Sequence, residues 1–183
     1  MANLVVNRVA FDCTEDEFKG LIEQYCSYSE YEGSEDTATP NLDLDFKKVI
    51  SPPNDKYDYQ WVVENWGTSK NAFDTSIDYQ HRTITFDTVW NAPYPVIDKL
   101  GELIPFAFSH EWAEEGMGND VGKVEYSNGE RKEYEYEDYS DEAVKLAIHL
   151  WGDEEECFQR NEDGRLQRYD CEECPNPCEN KMA

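Results

Sequence analysis

Nowhere in this chain is there a run of apolar residues long enough to cross a bilayer as a helix, so no membrane partner is expected. Basic residues are scarce, with 16 Lys and Arg against 41 Asp and Glu and a formal net charge of −25. A surface so acidic repels phosphate backbones and anionic lipids, which argues against direct nucleic-acid binding and makes a basic protein the natural partner. Histidine is rarer still, at three scattered copies. No phosphate-binding loop, dinucleotide fingerprint, GxSxG elbow or Cys–His nucleophile pair falls on a suitable element. Carboxylates are so numerous that pairing any two as general acid and base discriminates nothing, and a non-enzymatic role is expected. The opening MANLVVNRVAFDC carries neither a basic leader nor a small-residue cleavage site, which makes the cytosol the expected compartment.

What is present is enough to fold. Hydrophobic residues make up 39% and aromatics 14% of the 183 residues, too much core-forming material for a disordered chain and the right length for one main domain. Leu4, Val5, Val6 and Val9 read as a first strand. Thr14 with Glu17 three residues on is a capping box, and Phe18, Leu21, Ile22 and Tyr25 follow at the spacing of a helix burying one face. Leu42 to Ile50 looks extended, Pro52 and Pro53 stop any regular element, and Trp61 to Asn65 reads as a strand leading into the turn Trp66-Gly67-Thr68. Residues 75–79 and 83–88 alternate as a meander. Pro93 and Pro95 precede Val96, Ile97, Leu100 and Leu103, a second amphipathic helix. Phe106, Phe108, His110 and Trp112 share one face of a further strand.

Asn128-Gly129 between Lys123–Ser127 and Glu130–Tyr136 is a strong hairpin signal, giving an acidic hairpin over 123–136. Ser140 starts a helix over 140–151 with Ala143, Leu146, Ala147 and Leu150 as its buried stripe and Gly152 at its end. The expected organisation is a main domain over 1–152 and an acidic, cysteine-containing tail over 153–183. The expected fold class is α+β: an antiparallel sheet with helices packed on one face, plus the hairpin, the C-terminal helix and the tail.

Four segments carry a family resemblance: Met1-Ala2-Asn3 with Asn7-Arg8-Val9, VVENWGTSKNAFD at 62–74, ITFDTVWNAPYPVIDKL at 84–100, and FAFSHEWAEEGMG at 106–118. Together, in this order, they resemble the YubB-like family of phage and plasmid proteins. That resemblance implies a ferredoxin-like domain, a shape that does not by itself imply an iron–sulfur cluster, and brings no established activity. The hairpin and the cysteine tail look like additions to the family pattern.

Three sets of residues are candidates for chemistry or binding. Cys157, Cys171, Cys174 and Cys178 form C-x13-C-x2-C-x3-C, four thiols of the kind that hold structural zinc, although the second closely spaced couple of a usual zinc site is missing. Free thiols in a reduced tail are the plainer reading. Trp66, Trp90 and Trp112 stand at predicted strand ends with Glu114 nearby; brought together they would make an aromatic, acid-rimmed concavity for a basic side chain, a small molecule or a peptide, while core anchoring is the simpler role. Glu133, Glu135, Glu137 and Asp138 interleave with Tyr134, Tyr136 and Tyr139, and strand alternation sends the tyrosines to one face and most acids to the other. Such a row either solvates and protects an edge strand or imitates a phosphate backbone. His110-Glu111-x-x-Glu114 has the outline of a zinc-protease motif but lacks the second histidine and lies on a strand.

The function expected from these features is that of a phage or plasmid accessory protein binding a basic host or mobile-element protein through an acidic surface, in its sharper form as a DNA mimic. The alternatives are a small-molecule or peptide-binding module and a zinc-clipped structural or assembly component.

Overall fold

The structure is a computed structural model that describes residues 3–29, 41–54, 56–153, 157–162 and 166–168. Its centre is a six-stranded antiparallel sheet in the order β4-β5-β1-β6-β7-β8, from β1 (Leu4–Phe11), β4 (Phe73–Asp78), β5 (Thr83–Val89), β6 (Phe108–Glu114), β7 (Val121–Ser127) and β8 (Glu130–Glu135). β1 lies between β5 and β6, pairing Val9 with Ile84 on one side and with His110 on the other.

Two helices make the first four strands a split βαβ pair: α1 (Glu15–Tyr25) follows β1 and α4 (Tyr94–Leu103) joins β5 to β6. Strand, helix, strand, strand, helix, strand, with the first strand inside, is the ferredoxin-like arrangement. The hairpin β7–β8 extends the sheet beyond β6.

Why α1 forms is legible in its ends. Thr14 accepts from the Glu17 backbone N–H and the Glu17 carboxylate accepts from Thr14 N at 2.8 Å, a complete capping box. Phe18, Leu21, Ile22 and Tyr25 are buried. They meet Val5, Val9, Ile84, Phe86, Phe108 and Val124 from one sheet face and Val96, Ile97 and Leu100 from α4 in a single main core.

Between α1 and β4 the structure differs from the strand reading. The stretch 42–50 divides into β3 (Leu42–Leu44), paired with β2 (Cys26–Tyr28), and the short helix α2 (Phe46–Val49) capped by Asp45. Residues 61–65 belong to the helix α3 (Tyr59–Trp66), with Asp58 as N-cap. Tertiary packing decided this. As a helix, the segment turns Val62 and Trp66, four apart, onto the core, whereas alternation would have split them from Trp61 and Val63 across two faces.

The helix α5 (Asp141–Trp151) starts at Ser140, whose hydroxyl accepts from Ala143 N at 3.2 Å, and ends at Gly152 with φ of 69°. It packs Ala143, Ala147 and Leu150 on Val6, Ala113 and Val121, the sheet face opposite the other four helices. Beyond it, β9 (Phe158–Arg160) pairs with β10 (Leu166–Arg168), and Cys157 and Phe158 are buried against Val144 and Ile148.

Candidate functional site

The hairpin brings carboxylates to an open edge. Among the described residues β8 pairs with β7 alone, so its outer backbone groups meet no further described strand of the sheet. Opposite Tyr126 and Val124 of β7 stand Arg131 and Glu133, which places them and Glu135 on the α4 side of the sheet, with Lys132 and Tyr134 on the other. Glu133 and Glu135 are exposed, as are Glu137 and Asp138 in the turn that follows.

The two bases of the strand are engaged locally. Arg131 donates to Asp98 of α4 at 3.0 Å and to Glu133 at 2.7 Å. The Lys132 ammonium stands 4.4 Å from the centre of the Tyr134 ring, and the Tyr134 hydroxyl donates to Glu125 at 2.7 Å. These contacts hold the Glu125 carboxyl below its usual range, first through the Tyr134 hydroxyl and then through Lys123.

Beside this edge runs a groove of about 580 Å³ between α4 and the β7–β8 turn. Gly101, Ile104, Phe106 and Tyr126 form its apolar wall; Asp98, Glu102 and Glu130 supply carboxylates and Arg131 the opposing charge. Gly101 has a steric reason: a Cβ there would lie 2.5 Å from the Tyr126 ring. The Tyr126 hydroxyl donates to Asp98, and its pKa is raised by burial and by that carboxylate.

The three tryptophans do not converge. Trp66 is 3% exposed, donates from Nε1 to Ile50 O at 3.0 Å, and meets Phe46 and Trp61 edge-on; it also backs a cavity beside α2 and α3. Gly67 closes α3 at φ of 80°, and Thr68 exchanges hydrogen bonds with the Val89 backbone, so Trp66-Gly67-Thr68 is a helix stop that fastens β5.

Trp112 is buried against Tyr94 and stacked on His110, with its Nε1 donating to Asp120 at 3.3 Å. Trp90 alone is open, at 49% exposure. Glu114 is buried and accepts from Asn3 and from Gly116 N, a loop-fixing role. The expected concavity is thereby corrected: core packing takes Trp66 and Trp112, as the area of an indole ring favours.

Under the sheet lies a polar cluster that pattern reading missed. Asn7 Nδ2 donates to Val5 O and to the Thr88 hydroxyl, and Asn7 Oδ1 lies 2.9 Å from His110 Nε2. All three side chains are fully buried. Among the described residues His110 Nδ1 has no partner, and burial drives the imidazole pKa down to about 3. The ring is therefore neutral, donating from Nε2 to Asn7 Oδ1, a structural pin across β1, β5 and β6.

Of the four cysteines with zinc-like spacing, only Cys157 falls within the described residues, buried beside Phe158. Cys171, Cys174 and Cys178 lie outside them. Among the described residues no group of three or more His, Cys, Asp or Glu is placed to hold a metal ion, and no helix is long and apolar enough to cross a membrane.

A family model described as the ferredoxin-like domain in Api92-like protein matches residues 65–172. The match begins at the end of α3 and runs past β10, so β1 and α1, which complete the split βαβ pattern, precede it. No curated protein and no solved structure matches the chain.

Proposed function

We propose, from the premise that this chain belongs to the family defined by the ferredoxin-like domain in Api92-like protein, that it is a non-enzymatic accessory protein that binds a basic protein partner through the β8 edge. The observation that carries the reading is the open edge strand itself. Its exposed carboxylates, Glu133, which Arg131 also contacts, and Glu135, continue into Glu137 and Asp138 beside the groove holding Glu130 and Glu102, while Lys132 lies over the Tyr134 ring.

Unpaired strand backbone can add to a partner's strand, and carboxylates at strand spacing select Lys and Arg side chains. The resemblance of residues 62–74, 84–100 and 106–118 to YubB-like phage and plasmid proteins supports placing that partner among host or mobile-element proteins in the cytosol. The net charge of −25 supports the sharper form, in which the acidic surface occupies the basic groove of a nucleic-acid-processing enzyme.

The test is capture of partners on the immobilised chain at low and high salt, beside a variant with Glu133, Glu135, Glu137 and Asp138 changed to Lys. A basic protein retained at low salt, released at high salt, displaced by duplex DNA and lost with the variant supports the reading. Retention that ignores both salt and the four substitutions refutes it.

A further inference from the structure

A cavity with a basic rim lies beside α2 and α3 and shares no lining residue with the groove at the acidic edge. Trp61, Trp66 and Tyr57 line it together with the apolar Pro52, Pro53 and Val62, and Lys47, Lys56 and Lys70 stand at its mouth, with a volume of about 330 Å³. Among the described residues that line it, three ammonium groups stand against one carboxylate, Asp58, in a chain that holds 16 bases to 41 acids. That carboxylate already caps α3, accepting from Trp61 N at 3.2 Å. All three lysines are exposed, and none forms an ion pair among the described residues.

The walls are built. Trp66 is fixed by its indole hydrogen bond to Ile50 O, Trp61 meets it edge-on at 5.8 Å, and the Tyr57 hydroxyl donates to Ser69 O at 2.8 Å although most of that side chain faces solvent. Asn71, bonded to Phe46 N and Asp45, closes the floor.

From this we infer that the cavity lined by α2, α3, Pro52, Pro53, Lys56 and Tyr57 binds a small aromatic anion of the nucleoside monophosphate class, the base against Trp61 and Tyr57 and the phosphate among Lys47, Lys56 and Lys70. The volume falls in the range of small-molecule pockets. Aromatic faces take a nucleobase by stacking without regard to its identity. Lysines supply the charge for a phosphate as mobile point donors, in keeping with a site that has no arginine fork. A basic peptide is excluded by the three lysines. A nucleic-acid strand is disfavoured by the charge of the surrounding chain.

Isothermal titration calorimetry of the full chain with AMP, adenosine and inorganic phosphate, each separately, tests the assignment. AMP is expected to bind with saturation and more tightly than either fragment, and raised salt weakens it. Lys47→Gln with Lys70→Gln, both exposed and with no side-chain ion pair among the described residues, is expected to lower AMP affinity by about tenfold or more while the melting temperature holds. Trp61→Leu removes the stacking surface and is expected to lower affinity for adenosine and AMP alike; the lysine pair keeps the test decisive if this variant fails to fold. No heat with AMP at millimolar concentration, AMP binding no tighter than phosphate, or affinity indifferent to the lysine substitutions overturns the inference. The acidic edge and this cavity share no residue, so either reading can fail alone.

Discussion

The neutral His110 pinned to Asn7 makes stability depend on pH in a way that can be worked out. The ordinary imidazole pKa of 6.5 applies to the unfolded chain and about 3 to the folded one. The unfolded state therefore binds the extra proton first, and stability is fully present above pH 6.5 and falls as pH drops toward 3. Between pH 7 and pH 5 the loss from this group is about 2 kcal/mol.

Asp87 works in the opposite sense. It stands opposite Val6 on the second sheet face, and burial, aided by the nearby Asp74 charge, raises its carboxyl from 3.8 to about 6. Its ionisation destabilises the fold as pH rises through that range, so acidification returns about 1 kcal/mol or less once solvent screening of a half-buried group is allowed for. Urea denaturation of the wild type should show the two effects partly cancelling, with a loss of about 1 kcal/mol from pH 7 to pH 5. The Asp87→Asn variant should be more stable than wild type at pH 7 and lose about 2 kcal/mol over the same interval. Equal pH dependence in both proteins, or a His110 ring signal in NMR that titrates near 6.5, refutes the reasoning.

Other outcomes follow from single contacts. Gly122 faces the Trp112 ring so closely that a Cβ would lie 2.1 Å from Cζ2, and the ring is held between Tyr94 and His110, so Gly122→Ala should cost about 2–3 kcal/mol in urea and quench or shift the Trp112 emission. Thr14→Ala breaks the capping box and should cost about 1 kcal/mol by thermal or urea melting. Burial pushes the Cys26 thiol up to about 12, so it should resist alkylation at neutral pH until the protein unfolds; mass spectrometry of iodoacetamide-treated native protein reads this directly. The zinc clip proposed for Cys157, Cys171, Cys174 and Cys178 predicts stoichiometric zinc in elemental analysis and a melting temperature lowered by chelator, and metal-free protein of unchanged stability removes it.

Much of the fold was legible because its signals are local. The capping box at Thr14, the stripe from Val96 to Leu100, the Asn128-Gly129 turn and the Ser140 cap each specify an element through nearby residues, and each appears where expected. The segment between Leu42 and Trp66 was not, because its two helices are short. α2 has one turn and α3 eight residues rich in aromatic and β-branched types, so intrinsic preference was weak and packing of Phe46, Val62 and Trp66 into the core decided. The same misreading hid the basic-rimmed cavity, which exists only because those helices set Trp61 beside Lys47 and Lys70. The Asn7–His110–Thr88 cluster was out of reach for another reason: its members are 81 and 103 residues apart and meet only through strand pairing. The acids on β8 are exposed because the strand lies at the sheet edge with residues of both faces open, and the local capture of Arg131 and Lys132 required the neighbouring α4 and β7 side chains.

The place of β1 bears on how the chain survives its own synthesis. β1 is enclosed by two partners that both follow it in the chain, Thr83–Val89 and Phe108–Glu114, and are therefore made much later than it is. Until then Val5, Val6 and Val9 have no sheet to join, a waiting period in which a nascent apolar strand can stick to other chains or recruit a chaperone. The converse holds for a product starting at residue 65, where the family match begins. It would keep β5 and β6 but lack the strand between them, leaving two raw edges in mid-sheet and an expected tendency to aggregate that a separately supplied peptide of residues 1–25 should relieve.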